Sequence, residues 1–236
     1  MQSNIPFLPP VMSDVVIDLS HWQAEVDFAA VAGAGIAAVF LKATEGAGWV
    51  DPTFAARVQA ADAAGLLVAA YHFLDRSDPL AQADHFLSVA GFLPVLALDL
   101  EPAAADTGAT DAAAAAARRL ADRRGALPVI YTNRFAVPAA DPVLAQCPLW
   151  LAEYGSRPVC PPGWAQWTFW QYTSTGAVPG VAGPCDRSRF AGSAARLGCW
   201  WCGGPAPAEP ASPAAIRQSA RGPAPSAAAS SERSFG

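Results

Sequence analysis

The sequence predicts a single-domain α/β chain folded as an irregular TIM-like barrel, and three observations carry that expectation. Strand-length apolar segments alternate with helical segments roughly every 20–30 residues from Val15 to Tyr131, the pattern of a parallel sheet with crossover helices. Beyond Tyr131 the helical periodicity stops while strand-like segments continue, so the barrel is regular in its first half only. A polar or acidic residue stands at or just past the C-terminal end of each strand, where barrel enzymes place their sites. A length of 236 residues suits one such barrel, and a hydrophobic fraction of 53% is ample for its core.

Residues 1–13 hold three prolines and little periodicity and read as an irregular N-terminal arm. Val15-Val16-Ile17-Asp18-Leu19-Ser20 is the first strand, and Asp27 opens a short alanine-rich helix that Gly33 and Gly35 end. Ile36 to Leu41 is the second strand and runs into Lys42-Ala43-Thr44-Glu45-Gly46. Asp51 as N-cap and Pro52 in the first turn open a helix closed by Gly65. Leu66 to Ala70 leads into Tyr71-His72-Phe73, and a helix follows from Pro79 to about Val89. Asp111 is expected to cap the run Ala112–Ala117, helical because alanine is the best helix former, with a stop at Gly125. Leu127–Tyr131, Leu149–Tyr154 and Trp167–Tyr172 are the next strands, after which a Gly/Pro-rich turn leads to Asp186 and Phe190. The chain thus divides into the arm, a barrel over 14–202, and a Pro/Ala/Ser-rich tail over 203–236 expected to be disordered.

Charge and composition exclude several classes. A net charge of −5 without a Lys/Arg cluster argues against nucleic acid or an anionic membrane as partner. No apolar run reaches the roughly 18–20 residues of a membrane span. Met1–Pro6 shows neither a basic n-region nor an apolar h-segment, so no signal peptide is visible. Five cysteines, Cys147, Cys160, Cys185, Cys199 and Cys202, cannot all pair within one chain. Zinc at Cys199-Trp200-Trp201-Cys202, one or two disulfides, and plain thiols all stay open, plain thiols being the simplest.

The chemistry concentrates on Pro94-Val95-Leu96-Ala97-Leu98-Asp99-Leu100-Glu101-Pro102. Four apolar residues run into two carboxylates two positions apart, which strand alternation turns to one face. Such a pair either caps a helix and pairs with loop cations, or forms a reaction centre. Asp18, Glu45, Glu153 and Asp186 at other strand ends, with Tyr71, Tyr131, Trp150, Tyr154, Trp170 and Tyr172, favour the centre. Crowded carboxylates raise one another's pKa, leaving one protonated as a general acid, and aromatic faces stack on sugar rings. Carboxylates with aromatic walls suit glycoside hydrolysis. Asp18, His72, Asp99, Glu101 and Asp186 could instead hold a divalent metal, though no H-x-H or HExxH pattern is present.

Eight motifs in order, Asp18-Leu19-Ser20-His21-Trp22-Gln23, Lys42-Ala43-Thr44-Glu45-Gly46, Tyr71-His72-Phe73, Gln82-Ala83-Asp84-His85-Phe86, Leu98-Asp99-Leu100-Glu101, Tyr131-Thr132-Asn133, Leu149-Trp150-Leu151-Ala152 and Trp170-Gln171-Tyr172-Thr173, resemble the glycoside hydrolase family 25 lysozymes of the Chalaropsis type. The resemblance runs from about Val15 to Phe190 and implies a (β/α)5β3 barrel. It implies cleavage of the β-1,4 bond between N-acetylmuramic acid and N-acetylglucosamine of peptidoglycan, by a monomer without metal or cofactor.

Carried over by position, Glu101 is the expected general acid/base. Asp99 would orient the substrate's 2-acetamido group for attack with retention, and Asp18 and Asp186 complete the acids. Tyr71, His72, Tyr131, Asn133, Trp150, Tyr154, Trp170, Gln171, Tyr172, Lys42 and Glu45 are the expected sugar-binding set. Lys42 and Glu45 could equally form a structural ion pair, and His72 a hydrogen-bonded wall residue. Around Asp186 the segment Pro184-Cys185-Asp186-Arg187-Ser188-Arg189-Phe190 departs from the family's more apolar pattern, so this acid has the loosest registration. Trp200 and Trp201 lie past the resemblance and read as packing. The expected setting is synthesis in the cytoplasm and action on the wall after release, as in a phage or prophage endolysin, or after non-classical export. An inactive glycan-binding barrel and a metal-dependent hydrolase are the alternatives.

Overall fold

The computed structural model of the chain describes residues 11–101 and 108–203. Along them run β1 (Ser13–Leu19), α1 (Phe28–Gly33), β2 (Ala38–Glu45), the two-residue β3 (Trp49–Val50) and α2 (Phe54–Ala63). Then come β4 (Leu67–Phe73), α3 (Pro79–Ala90), β5 (Val95–Leu100), α4 (Ala109–Arg124) and β6 (Val129–Asn133). β7 (Leu149–Ala152), β8 (Phe169–Gly176), β9 (Cys185–Phe190) and α5 (Ala194–Trp201) complete the set.

The sheet order β1-β9-β8-β7-β6-β5-β4-β2 closes on itself, because β1 pairs with both β9 and β2. Pairings from β1 through β2 and β4 to β8 are parallel. β9 alone runs antiparallel to both neighbours. This is the mixed barrel that the fading helical periodicity implies. The fifth crossover, between β6 and β7, carries only a 3-10 turn at Leu144–Gln146 instead of an α-helix. β3 is a flap that pairs with the end of β2 through Thr44–Val50 and Glu45–Trp49.

Local chemistry explains the element ends. Asp27 Oδ1 accepts from the N–H groups of Ala29 and Ala30 at 3.0 and 3.1 Å, and Asp78 Oδ1 from that of Ala81 at 2.8 Å, two ordinary N-caps. α4 ends at Gly125, whose φ of 71° places it in the left-handed region that glycine adopts without cost. Two expected caps differ. Asp111 lies inside the first turn of α4, since the helix begins at Ala109 behind Gly108; its charge still faces the helix N-terminus. Asp51 stands before α2, its Oδ1 accepting from Thr53 N and Oγ1 at 2.8 and 2.7 Å. Its other oxygen is engaged by His21.

Strand alternation builds two apolar layers. Inward residues Val16, Phe40, Ala69, Ala97, Val129, Trp150, Phe169 and Phe190 fill the barrel. Outward residues such as Leu19, Leu41, Val68, Leu98, Ile130 and Leu151 pack beneath Phe28, Phe54, Phe86 and Leu120 of the helices. Every residue of β5 is therefore buried, as its apolar run requires. The barrel floor is α5. Trp201 lies 5.5 Å from Phe40, which lies 4.3 Å from Trp150, itself 4.7 Å from Tyr131. These rings form an aromatic column along the barrel interior, from the floor to the strand ends that carry the acids.

The five cysteines are free thiols. Burial holds Cys147 and Cys185 up at about 12 and Cys160 at about 11, which makes them poor nucleophiles and ligands. No helix among the described residues is long and apolar enough to cross a membrane. The predicted tail, apart from Gly203, and residues 1–10 of the predicted arm lie outside the described residues.

Candidate active site

The four acids converge at one end of the barrel. Asp99, inward on β5 like Val95 and Ala97, stands in register with Phe73 of β4 and Tyr131 of β6. Glu101 follows the last residue of β5 and is exposed. Asp18 on β1 is the register partner of Asp186 on β9. All four line a cavity of about 260 Å³, walled by Tyr71, Tyr131, Trp150 and Tyr154. Gln171 forms its floor, and Ser20, Trp22 and Gln23 form one rim.

Burial and mutual repulsion dominate the electrostatics. Burial pushes Asp18 well above the ordinary carboxylate range, Asp186 and Glu101 add to the rise, and the Gln171 amide opposes it. Asp99 is raised by burial, then by Glu101 and Asp18, while Lys42 pulls it down. Asp186 is pushed up to about 6 by burial and by Glu101. The phenols of Tyr71 and Tyr131 are raised by burial and by the acids around them, so they act as neutral donors. Four acids in such a pocket hold fewer than four negative charges near neutral pH. Protons are therefore stored beside the exposed Glu101.

Two polar systems fix the walls. Gln171 donates from Nε2 to Asp18 Oδ1 and Oδ2 at 3.2 and 3.0 Å, and its Oε1 accepts from Tyr131 and Tyr154 hydroxyls, each at 2.9 Å. Trp150 Nε1 donates to Ser188 Oγ at 2.9 Å, which sets the indole against Tyr131. One acceptor in these walls stays empty: Asp99 Oδ1 is buried and has no hydrogen-bond partner among the described residues. Among the described residues, no three His, Cys, Asp or Glu side chains are arranged to hold a metal ion.

A second cavity of about 420 Å³ adjoins the first and shares Trp22 with it; Trp49, His21 and Asp75 are among its walls. Lys42 and Glu45 sit there, joined Nζ to Oε2 at 2.7 Å, with the ammonium 5.1 Å from the Trp49 ring. The two thus form the ion pair that was the alternative to sugar binding, in the wall of the adjoining cavity. The loop bearing Trp22 is held tightly. Asp51 Oδ2 takes the His21 backbone N–H and Nδ1, both at 2.9 Å, and the buried Arg57 donates to the carbonyls of Ser20 and Gln23.

Of the residues expected from sequence, the structure gathers Glu101, Asp99, Asp18, Asp186, Tyr71, Tyr131, Trp150, Tyr154 and Gln171 around one cavity. Four others lie elsewhere, three of them by strand parity. Tyr71 faces inward, so His72 faces outward; it is fully buried, with Thr44 Oγ1 at 2.7 Å and Gln82 Oε1 at 3.1 Å. Gln171 faces inward, so its neighbours face outward. Trp170 donates to the Glu153 carbonyl at 2.7 Å, and Tyr172 to Asp14 beneath the Arg189 guanidinium. Asn133 has the inward parity but ends its strand, and its Oδ1 accepts from Phe135 N and Ala136 N in a turn. Sequence reasoning left out Ser20, Trp22 and Gln23. The motif Asp18–Gln23 held them, and Trp22, 79% exposed at the junction of two cavities, is its most exposed aromatic.

Comparison with known proteins agrees with this geometry. The chain is 37% identical over 206 residues to lysozyme M1 of Streptomyces globisporus, covering 77% of this chain and 69% of that protein. It is 30% identical over 189 residues to the N,O-diacetylmuramidase of Chalaropsis, covering 69% of this chain and 89% of that one. The bacterial lysozyme structure from Streptomyces coelicolor superposes with a TM-score of 0.72 at 35% identity, over 81% of this chain and 98% of that one. The family model "Glycosyl hydrolases family 25" matches residues 17–181, ending before Asp186 and β9. The chain, a glycoside hydrolase, belongs to glycosyl hydrolase family 25.

Proposed function

We propose that the chain is a peptidoglycan muramidase, cleaving the β-1,4 bond from N-acetylmuramic acid to N-acetylglucosamine with Glu101 as general acid/base and Asp99 assisting. The observation that carries this reading is the division of labour between the two carboxylates of one strand end. Glu101 is exposed at the mouth, while Asp99 is buried and keeps an unfilled acceptor. A protonated Glu101 donates its proton to the glycosidic oxygen as that bond breaks. Asp99 Oδ1 accepts from the N–H of the 2-acetamido group, and the polarised acetamido oxygen attacks the anomeric carbon from the opposite face. Glu101, now a carboxylate, takes a proton from the water that opens the cyclic intermediate. Two displacements retain configuration, and neither requires a carboxylate nucleophile. Asp18 and Asp186 complete an acidic floor that stabilises positive charge developing at the sugar ring.

The test is digestion of purified peptidoglycan in EDTA by the wild type and by Glu101→Gln, followed by borohydride reduction and mass analysis. Reduced muramic acid at the new ends, lost by about 10²-fold or more in the variant, is the expected result. Intact glycan with measurable binding would replace the enzyme by a glycan-binding barrel. Loss of wild-type activity in EDTA would favour a metal-dependent hydrolase.

A further inference from the structure

Gln171 touches one acid and two phenols from a position where it is only 2% exposed. It lies on β8 and reaches Asp18 on β1, Tyr131 on β6 and Tyr154 just past β7. An amide oxygen has two acceptor sites, and the two hydroxyls fill both. The Nε2 hydrogens then have Asp18 as their acceptor. Both Asp18 oxygens lie within reach of Nε2, at 3.2 and 3.0 Å, and a carboxylate is the form that offers both as acceptors; protonation turns one of them into a hydroxyl. Asp18 is at the same time the register partner of Asp186, whose charge opposes that of Asp18.

We propose that Gln171 is a positioning residue that orients the Asp18 carboxyl and favours its charged form against burial and the neighbouring Asp186. The amide thereby favours negative charge at Asp18, on the floor beneath the reacting sugar. Its work is done through Asp18, with both amide groups occupied by protein. Titratable groups face Asp18 from several elements: Asp186 and Cys185 on β9, Asp99 and Glu101 at the end of β5, Tyr71 on β4, Tyr131 on β6 and Tyr154 past β7. None of these is a cation, so the amide is the neutral group that favours charge on Asp18. The direction of its effect agrees, since the Gln171 hydrogen bond lowers Asp18 against burial and Asp186.

The test combines Gln171→Leu and Gln171→Glu, each checked for native circular dichroism. The first arm needs no substrate. Protein labelled with 13C at aspartate Cγ is titrated by NMR, with Asp18→Asn and Asp186→Asn to assign the signals. In Gln171→Leu the Asp18 midpoint is expected to rise by about one pH unit or more. Unchanged midpoints would overturn the proposal. If Gln171→Leu does not fold, Gln171→Met, which keeps the side-chain length and removes the amide without adding charge, carries the same titration, and the same two outcomes decide.

The second arm rests on the muramidase reading. Gln171→Leu is expected to lose about 10²-fold in kcat on peptidoglycan with KM little changed, as displaced groups do. In Gln171→Glu the new carboxyl can donate to Asp18 only while protonated, so activity is recovered on the acid side and lost as pH rises. A uniform loss at every pH would reduce Gln171 to a packing residue and overturn the proposal. A wild type that leaves peptidoglycan intact would reject the muramidase reading, while the titration still decides the role of Gln171.

Discussion

Trp201→Ala tests whether the floor of the barrel is a structural plug remote from the chemistry. The indole is 3% exposed and contacts Phe40, Phe169 and Trp200 with ring centroids at 5.5, 6.3 and 6.0 Å. Its Nε1 also donates to the Val68 carbonyl at 3.4 Å. Removing a buried tryptophan costs about 3–5 kcal/mol, because its neighbours can only partly collapse into the space. The lost hydrogen bond is long, so it adds to the lower end of that range. At roughly 2–4 °C per kcal/mol for a chain of this size, the melting temperature falls by about 6–20 °C. Thermal melts by circular dichroism at neutral pH measure it directly. Trp201 is absent from the cavity lining and is separated from it by Phe40 and Trp150, so the pH–rate profile below the melting range should not change. A drop under about 3 °C would refute the plug. So would a shifted pH profile in a variant that is still folded.

The remaining predictions probe titration and the cleft wall. Asp186 titrates at about 6 in the folded chain against an ordinary 3.8, so the folded state holds its proton longer and stability falls as pH rises from about 4 to 6. Asp186→Asn removes that slope, and melting should rise more at pH 7 than at pH 4; an equal rise at both would disprove the assignment. His72 is lowered by burial from 6.5 to about 4, so its stabilising effect is present above about 6.5 and lost as pH falls towards 4. His72→Phe packs against Phe86 but strands Thr44 and Gln82, at a cost of about 1–3 kcal/mol, and flattens that acid-side slope. Because the two slopes overlap with opposite signs and offset each other in the wild type, denaturant melts of each variant against the wild type across pH 4–7 separate them. Trp22→Ala leaves stability within about 0.5 kcal/mol because the ring is exposed. It raises KM roughly threefold to tenfold through loss of a stacking face; an unchanged KM would remove Trp22 from the sugar contact.

The barrel and its acids were legible because the information is local. An apolar run ending in Asp99 and Glu101 states its own burial, strand direction and parity. The same parity shows why His72, Trp170 and Tyr172 fell outside the cleft. Each adjoins a true wall residue in a quoted motif, and a motif does not say which of two neighbours faces in. Applying alternation from Tyr71 and Gln171 would have separated them. Asn133 could not be excluded that way, since its displacement comes from a turn that begins where the strand stops. α5 was invisible for another reason. Eight residues are too few for a helical period to show, and Trp200 and Trp201 acquire their meaning only when the open barrel end lies beneath them. The tight loop bearing Trp22 depends on Asp51 and Arg57, 29 and 35 residues away along the chain, a link that spacing alone does not reveal.

β9 brings Asp186 to the acids and supplies both antiparallel pairings that close the sheet. During synthesis the segment from β1 to β8 emerges first, with the edges of β1 and β8 unpaired. Open edges of this kind are templates for association with other chains. The strand that removes that hazard also delivers the final carboxylate. A nascent or truncated chain ending near residue 181 therefore has neither a sealed sheet nor a complete acid cluster, and the enzyme is armed in the same step that makes it safe from aggregation.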